Sequence, residues 1–476
     1  MTFARNADVI SWDPIIPTDN PSIWAQLNIY DQLVRVAKDA QSVEPDLATA
    51  WDISPDGKTY TFHLRPGVTF SDGTPVKASD VQFSLDRVAT DKESLWGFLF
   101  PKMDITAPDD ATVVITLDAP WAPLLADLSV FAASIIPQAY FEQVGEQAFG
   151  DKPIGSGPFV LADWQKGSVA VLKRNPTYWD QPKPYLDEVD LKVVAEDNTR
   201  MLQVQSGQLD IATDVPFNQI DALKKSADLD VQISPVIGTY WIQFNQKLPQ
   251  FQDMHVRQAI NWAVDKEALI KSVLFGYGEP AYGYLGKMLY SDLQDAPYGY
   301  DVAKAKDLMS QSKYPNGFAV TLLTAAGDTI GQQVAVIVKA QLAEIGITVN
   351  IQQEEAASAF QKQVDGDYEM IEYYMTSDII DPAENTTYAA AGDGGSNAVY
   401  TYYNNPMVND LVRASNTEMD ATKREADYLK IQQLVHEDAP MLFLFWQPAR
   451  TAVRQDIHGF QVLPTANYRL WEVWKS

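Results

Sequence analysis

Apolar side chains in "SIWAQLNIYDQLVRV" recur every three or four residues, a spacing that predicts a helix over residues 22–36, after short strands at Thr2 to Ala4 and at Val9 and Ile10. From Asp46 the period changes. "LATAWDISPDGKTYTFHL" predicts two strands joined by a Pro55-Asp56-Gly57 turn, and "SDGTPVKASDVQFSLDRV" a loop and then a helix capped by Ser79 or Asp80. "TVVITL" and "SVAVLKRN" predict further strands, and "EDNTRMLQVQSGQLDIATDV" a helix followed by a buried strand. A second helix–strand series runs from about Asp253 to Arg450, clearest in "VRQAINWAVDKEALIKSVL", "VAVIVKAQLAEIGITVNIQ" and "READYLKIQQLVHEDAPMLFLFW". This alternation predicts α/β lobes. No repeat of fixed period and no low-complexity linker occurs, so the lobes are expected to be compact and joined by short crossings.

One stretch breaks the pattern. In "MIEYYMTSDIIDPAENTTY", from Met370 to Tyr388, apolar and aromatic side chains surround Asp378 and no Lys or Arg accompanies it. A buried carboxylate costs several kcal/mol unless something pairs with it, which marks Asp378 as a candidate receptor for a cation.

At 476 residues, with 46% hydrophobic and 21% charged side chains, the chain has material for two to four domains, and no apolar run reaches the ~20 residues of a membrane span. Asp and Glu number 63 against 36 Lys and Arg, a net charge of -27 that repels nucleic acid and anionic headgroups. Cysteine is absent, so thiol nucleophiles, zinc–thiolate sites, iron–sulfur clusters and disulfides are excluded together. The chain opens directly in an extended pattern without an apolar leader, so any signal peptide is expected to have been removed and Met1 to be a cloning residue.

Catalytic motifs are missing too. His63, His255, His436 and His458 are scattered without the spacing of a metal site. "GSGPF" and "GDGGS" lack the pattern that cradles phosphate, and Ser156 in "IGSGP" has Ile154 where a nucleophile elbow requires glycine. No enzyme activity, cofactor or metal is expected.

"PDLATAWDISPDGKTYTFHLRPGVTFSDGTPVKASDVQFSLDRV" resembles the hallmark segment of the family-5 extracellular solute-binding proteins, the peptide-, dipeptide-, oligopeptide- and nickel-binding components of bacterial ABC importers. "PIGSGPFVLADWQKGSVAVLKRNPTYW", "GQLDIATDVP" and "FQDMHVRQAINWAVDKEALIKSVLFGYGEPA" follow in the family's order. The resemblance implies an α/β, two-lobed clamp, the periplasmic-binding-protein fold of type II, cluster C, with an extra domain inserted in the first lobe. The first lobe is expected at residues 1–34, 154–245 and 455–476, the inserted domain at 35–153 and the second lobe at 246–454, with hinge crossings near Phe244-Asn245-Gln246 and Val453-Arg454. The implied function is capture of peptides or related amine-bearing solutes in an interlobe cleft by a monomer, periplasmic or membrane-associated on the outside of the cell, which delivers them to a membrane permease and binds no nucleic acid.

In peptide-binding members an aspartate in a segment like "YMTSDIIDP" receives the ligand's α-ammonium, and Asp378 occupies that position. Where such members carry tryptophans three and twenty-two residues earlier, this sequence has Met375 and Ala356. Some members hold the ligand's carboxylate with an arginine about fifty residues upstream; here that region reads "LLTAAGDTIGQQ", and no Arg lies between Arg257 and Arg413. Trp96, Tyr240, Trp241 and Tyr374 are the candidate aromatic walls, and Asn397 a candidate amide. The alternatives are the same clamp holding an oligosaccharide, opine or metal chelate, a peptide-handling chaperone or signalling receptor, and a cleft enzyme of hydrolase type.

Overall fold

The computed structural model describes residues 1–287, 289, 298–394, 398 and 400–476. The chain divides into two compact units: Met1–Pro235 with Asp378–Asp381 and Ala449–Ser476, and Val236–Ser377 with Pro382–Pro448. These bounds differ from the crossings expected at 245/246 and 454/455, and Asp378–Asp381 falls within the stretch 246–454 expected for the second lobe. The difference comes from two strands. Gly238–Phe244 pairs with Met370–Thr376 and Met441–Trp446 in the second unit, while Ala449–Arg454 pairs with Leu229–Ser234 and Ile211–Thr213 in the first. An apolar run announces that a strand is buried but not which sheet takes it.

The first unit is built on a seven-stranded mixed sheet. Its order is Leu229–Ser234, Ala449–Arg454, Ile211–Thr213, Thr2–Arg5, Glu188–Val193, Val169–Arg174 and Phe159–Gln165. Thr2–Arg5 runs parallel to both of its neighbours, whereas Ala449–Arg454 is antiparallel to both of its own. A separate antiparallel sheet of Ala48–Ile53, Thr59–Leu64, Thr112–Leu117 and Met103–Asp109 lies within the stretch expected to form the inserted domain. The Pro55-Asp56-Gly57 turn joins its first two strands, with Gly57 at a φ of 67° where a side chain would be strained. The following helix, Ala78–Thr90, has Lys77 at its N-cap in place of the expected Ser79 or Asp80; Asp80 lies in the first turn and accepts the backbone N–H of Lys77 at 3.0 Å and that of Gln138 at 3.0 Å.

The helix expected over 22–36 is instead Asn20–Gln26, started by the Asp19 carboxylate on the Ser22 N–H, followed by turns and the strand Val34–Val36. The backbone at Asn28 and Ile29 leaves the helix to accept hydrogen bonds from Phe159 and Gly157. The apolar spacing past Gln26 reflects burial on several sides, not one helical face.

The second unit holds a six-stranded sheet in the order Glu279–Pro280, Met441–Trp446, Gly238–Phe244, Met370–Thr376, Ala319–Ala325 and Thr348–Glu354. Ala319–Ala325 is parallel to both Thr348–Glu354 and Met370–Thr376, and the last of these is antiparallel to Gly238–Phe244. The helices Met254–Ala263, Lys266–Val273, Thr329–Ala343, Pro406–Thr417 and Ala421–Asp438 begin at the side chains of Asp253, Asp265, Asp328, Asn405 and Asp420, each accepting backbone N–H groups of the first turn.

Candidate functional site

Asp378 follows the strand Met370–Thr376 by two residues and opens the four-residue segment that belongs to the first unit. It is half-buried, and its neighbour Ile379 is wholly buried in the core that also contains Leu99, Phe131 and Trp96. Ile379 thereby fixes the backbone on which the carboxylate sits. Trp96 is part of the same core: its ring meets Phe131 edge-on at 4.7 Å and its indole N–H donates to the carbonyl of Pro17 at 3.0 Å. Pro382 then starts the helix Ala383–Ala389 of the second unit.

The strand Met370–Thr376 presents two faces, because side chains alternate along it. On one face lie Met375 and Trp241, buried together with Tyr284, Ala389 and Phe443; Trp241 is wholly buried, 5.6 Å from the ring of Tyr373. Trp241 is therefore a core residue of the second unit, and its indole N–H has no hydrogen-bond partner among the described residues. On the other face Tyr240 stands beside Tyr374, with ring centroids 6.3 Å apart, and stacks on Phe445 at 4.9 Å. A Cβ at Gly238 would come within 2.6 Å of the Tyr374 hydroxyl, so glycine makes room for that ring.

Ala356 is brought to neither face. It is exposed as the first residue of the helix Ala356–Asp365, behind its Glu355 cap. Asn397 lies outside the described residues. The eight candidates thus fall into a first-unit pair, Asp378 and Trp96, a second-unit set, Tyr240, Trp241, Tyr374 and Met375, and two that join neither.

Two carboxyl groups overlooked in the sequence share the Tyr240 face. Glu372 pairs laterally with Ile242 two residues before Tyr374, and its Oε1 accepts the N–H of Ala325 at 3.0 Å. Asp328 caps the helix Thr329–Ala343 through the Gly331 N–H at 3.0 Å. Burial and then the proximity of Asp328 push the Glu372 carboxyl up to about 8. Burial likewise raises Asp328, against hydrogen bonds that lower it. The signal was present in "MIEYYM": a single Glu inside an otherwise apolar strand.

The first unit contains another buried acidic pair, this one with cations. Asp31 accepts hydrogen bonds from the Ser156 hydroxyl at 2.8 Å and the Trp179 indole at 3.3 Å. Asp46 accepts from the Gln32 N–H at 3.0 Å and lies 3.4 Å from the Arg35 guanidinium. Burial, then the nearby Asp46, raise Asp31 to about 8 in spite of Ser156 and Arg35. An adjoining cavity of about 40 Å³, lined by Asp31, Arg35, Asp46, Ser129 and Arg469, has room for water but not for a peptide. Among the described residues no group of three or more His, Cys, Asp or Glu side chains is placed to hold a metal ion, and no helix is long and apolar enough to cross a membrane.

The chain is similar over nearly its whole length to proteins whose ligands are known by name. It is 32% identical to the glutathione-binding protein of Pectobacterium atrosepticum, over 97% of this chain and 91% of that one, and 30% identical to a probable D,D-dipeptide-binding periplasmic protein of Escherichia coli, over 98% and 92%. Among solved structures it resembles the Helicobacter pylori periplasmic binding protein DppA in complex with the peptide STSA, with a TM-score of 0.90, 32% identity and coverage of 100% and 98%. It also resembles the agropinic acid complex of AgaA from A. tumefaciens R10, with a TM-score of 0.91, 29% identity and the same coverage. The two-lobed clamp fold expected from the sequence is the fold of these proteins. The profile of the bacterial extracellular solute-binding proteins, family 5, matches residues 42–397, and the chain belongs to that family.

Proposed function

We propose that this chain captures peptides or related amine-bearing solutes outside the cytoplasm and hands them to the permease of an ABC importer, with Asp378 receiving the ligand's free ammonium group. The observation that carries this reading is the setting of Asp378: a half-buried carboxylate on a backbone pinned by the buried Ile379, in the segment where peptide-binding members of the family place their ammonium receptor. The names of the relatives support it, since they bind glutathione, D,D-dipeptides and a peptide. The protein acts as a monomer, binds without chemical turnover and, at a net charge of -27, avoids nucleic acid.

A charge-assisted hydrogen bond of this kind contributes roughly 1.5 to 3 kcal/mol. Asp378→Asn is expected to weaken binding of a peptide with a free N-terminus at least tenfold, about 1.4 kcal/mol, with an unchanged melting temperature. Calorimetric titration with free and N-acetylated forms of one peptide is the test, and equal affinity for the two refutes ammonium recognition. The agropinic acid complex favours a second reading, an opine ligand. Native mass spectrometry of freshly purified protein separates the two by the mass of the retained solute.

A further inference from the structure

On one face of the second unit's sheet, polar atoms without partners converge. Leu322 pairs with Met370 in parallel register, so Thr324 and Glu372, two residues further along each strand, share a face, and Tyr240 joins them across the antiparallel pairing with Tyr374. The first turn of the helix Thr329–Ala343 covers this face closely: a Cβ at Gly331 would sit 2.4 Å from the Glu372 carboxyl carbon. The Tyr240 side chain is 3% exposed, and its hydroxyl faces the Asp328 carboxylate. The hydroxyl of Thr324, wholly buried, has no hydrogen-bond partner among the described residues, nor does Oε2 of Glu372. Among the described residues no Lys or Arg pairs with Asp328 or Glu372.

A buried carboxylate oxygen without a donor costs as much as a lost charged hydrogen bond, and two such acids side by side repel. What the site lacks is positive charge that carries several N–H donors. Glu372 releases its proton to solvent when such a group binds, and two carboxylates and two hydroxyls then supply acceptors in that number, whereas a divalent metal ion would want more anionic ligands than the two present. The location suits a ligand, since solutes in open α/β sheets bind beyond the carboxyl ends of the parallel strands, and Asp328 follows the end of Ala319–Ala325 by three residues.

We infer that Asp328, Glu372 and the Tyr240 hydroxyl form a second cation receptor, distinct from Asp378, that accepts an ammonium or guanidinium group on the solute. The inference rests on the reading of the chain as a receptor for amine-bearing solutes and adds, within the second unit, a place for a cationic group of the solute. The stretch "LLTAAGDTIGQQ", where a carboxylate-holding arginine is missing, instead supplies an acid.

The test has two arms. In protein labelled on tyrosine, with the Tyr240 ring signal assigned from Tyr240→Phe, methylguanidinium and methylammonium are titrated separately. A saturable shift of Tyr240 with either cation is expected, lost in Asp328→Asn and Glu372→Gln and kept in Asp378→Asn. No shift in the wild type, or the same shift in both acid variants, overturns the inference. In the second arm, calorimetry compares an arginine-containing tripeptide with its citrulline isostere, and a lysine-containing one with its norleucine isostere. At least tenfold preference for one charged member is expected, falling toward unity in Glu372→Gln. A preference that persists there overturns the inference. If no tripeptide binds the wild type, the peptide reading has failed while the Tyr240 titration still decides the cation site.

Discussion

Asp31 and Asp46 in the first unit and Asp328 and Glu372 in the second meet the same difficulty, two carboxyl groups removed from water together, and resolve it differently. The first pair has its counter-charges built in. Arg35 lies 3.4 Å from Asp46 and 2.8 Å from Glu44, Arg469 reaches Glu44 at 3.1 Å, and Ser156 and Trp179 donate to Asp31. The second pair has backbone N–H groups on one side and, on the other, the Tyr240 hydroxyl beside Asp328 and a Thr324 hydroxyl without a partner among the described residues. A structural ion cluster is closed within the fold; a receptor leaves part of its demand for the ligand. This contrast, more than the number of acids, distinguishes scaffold from site.

The largest effect that tests the contrast is loss of a built-in cation. Arg35→Met leaves Asp46 and Glu44 without their shared guanidinium and is expected to destabilise the protein by about 3 to 5 kcal/mol, measured by denaturant unfolding. Asp328→Asn removes a charge that has no counter-ion and is expected to leave stability unchanged or raised. Equal losses for the two substitutions would erase the distinction.

The next effect is a dependence on pH. Folding raises Glu372 from an ordinary 4.5 to about 8, chiefly by burial, so the folded state holds this proton more tightly than the unfolded chain. The stability it contributes is complete below about pH 4.5 and is lost as the pH rises through about 8. Glu372→Gln lacks that loss, so thermal unfolding should show the variant gaining on the wild type across this interval. Asp31, also near 8, gives Asp31→Asn the same direction. A gap that stays constant with pH in Glu372→Gln would mean that Glu372 is ionised in the folded protein.

The smallest effect separates a satisfied hydroxyl from an unsatisfied one. Ser156→Ala removes a donor to a buried carboxyl and is expected to cost about 1 to 3 kcal/mol by denaturant unfolding. Thr324→Val replaces a buried hydroxyl that has no partner and is expected to cost nothing or to stabilise. A comparable loss at Thr324 would reveal a hydrogen bond there.

What the sequence disclosed was local. The Pro55-Asp56-Gly57 turn and the helix–strand alternation of the second half rest on chemistry between residues a few positions apart, and they stand in the structure. Asp378 draws notice because a carboxylate in an apolar run is conspicuous, and its role as ammonium receptor remains a proposal. Glu372, in the same stretch, was no less conspicuous, but its meaning depends on Gly331 and Asp328 being folded over it from a helix more than thirty residues away, which no local pattern records. The bridge from Arg469 to Glu44 spans nearly the whole chain and had no signal at all. The crossings between the units have no local signal either: only tertiary pairing sends Trp241 and Val453 to different sheets.

The position of Ala449–Arg454 governs how synthesis and folding are ordered. Among the described residues this strand joins Leu229–Ser234 to the rest of the seven-stranded sheet, and the ribosome makes it long after both of its neighbours. Until the last thirty or so residues emerge, the nascent first unit carries two open strand edges and cannot reach its native topology, a non-local closure that makes folding slow.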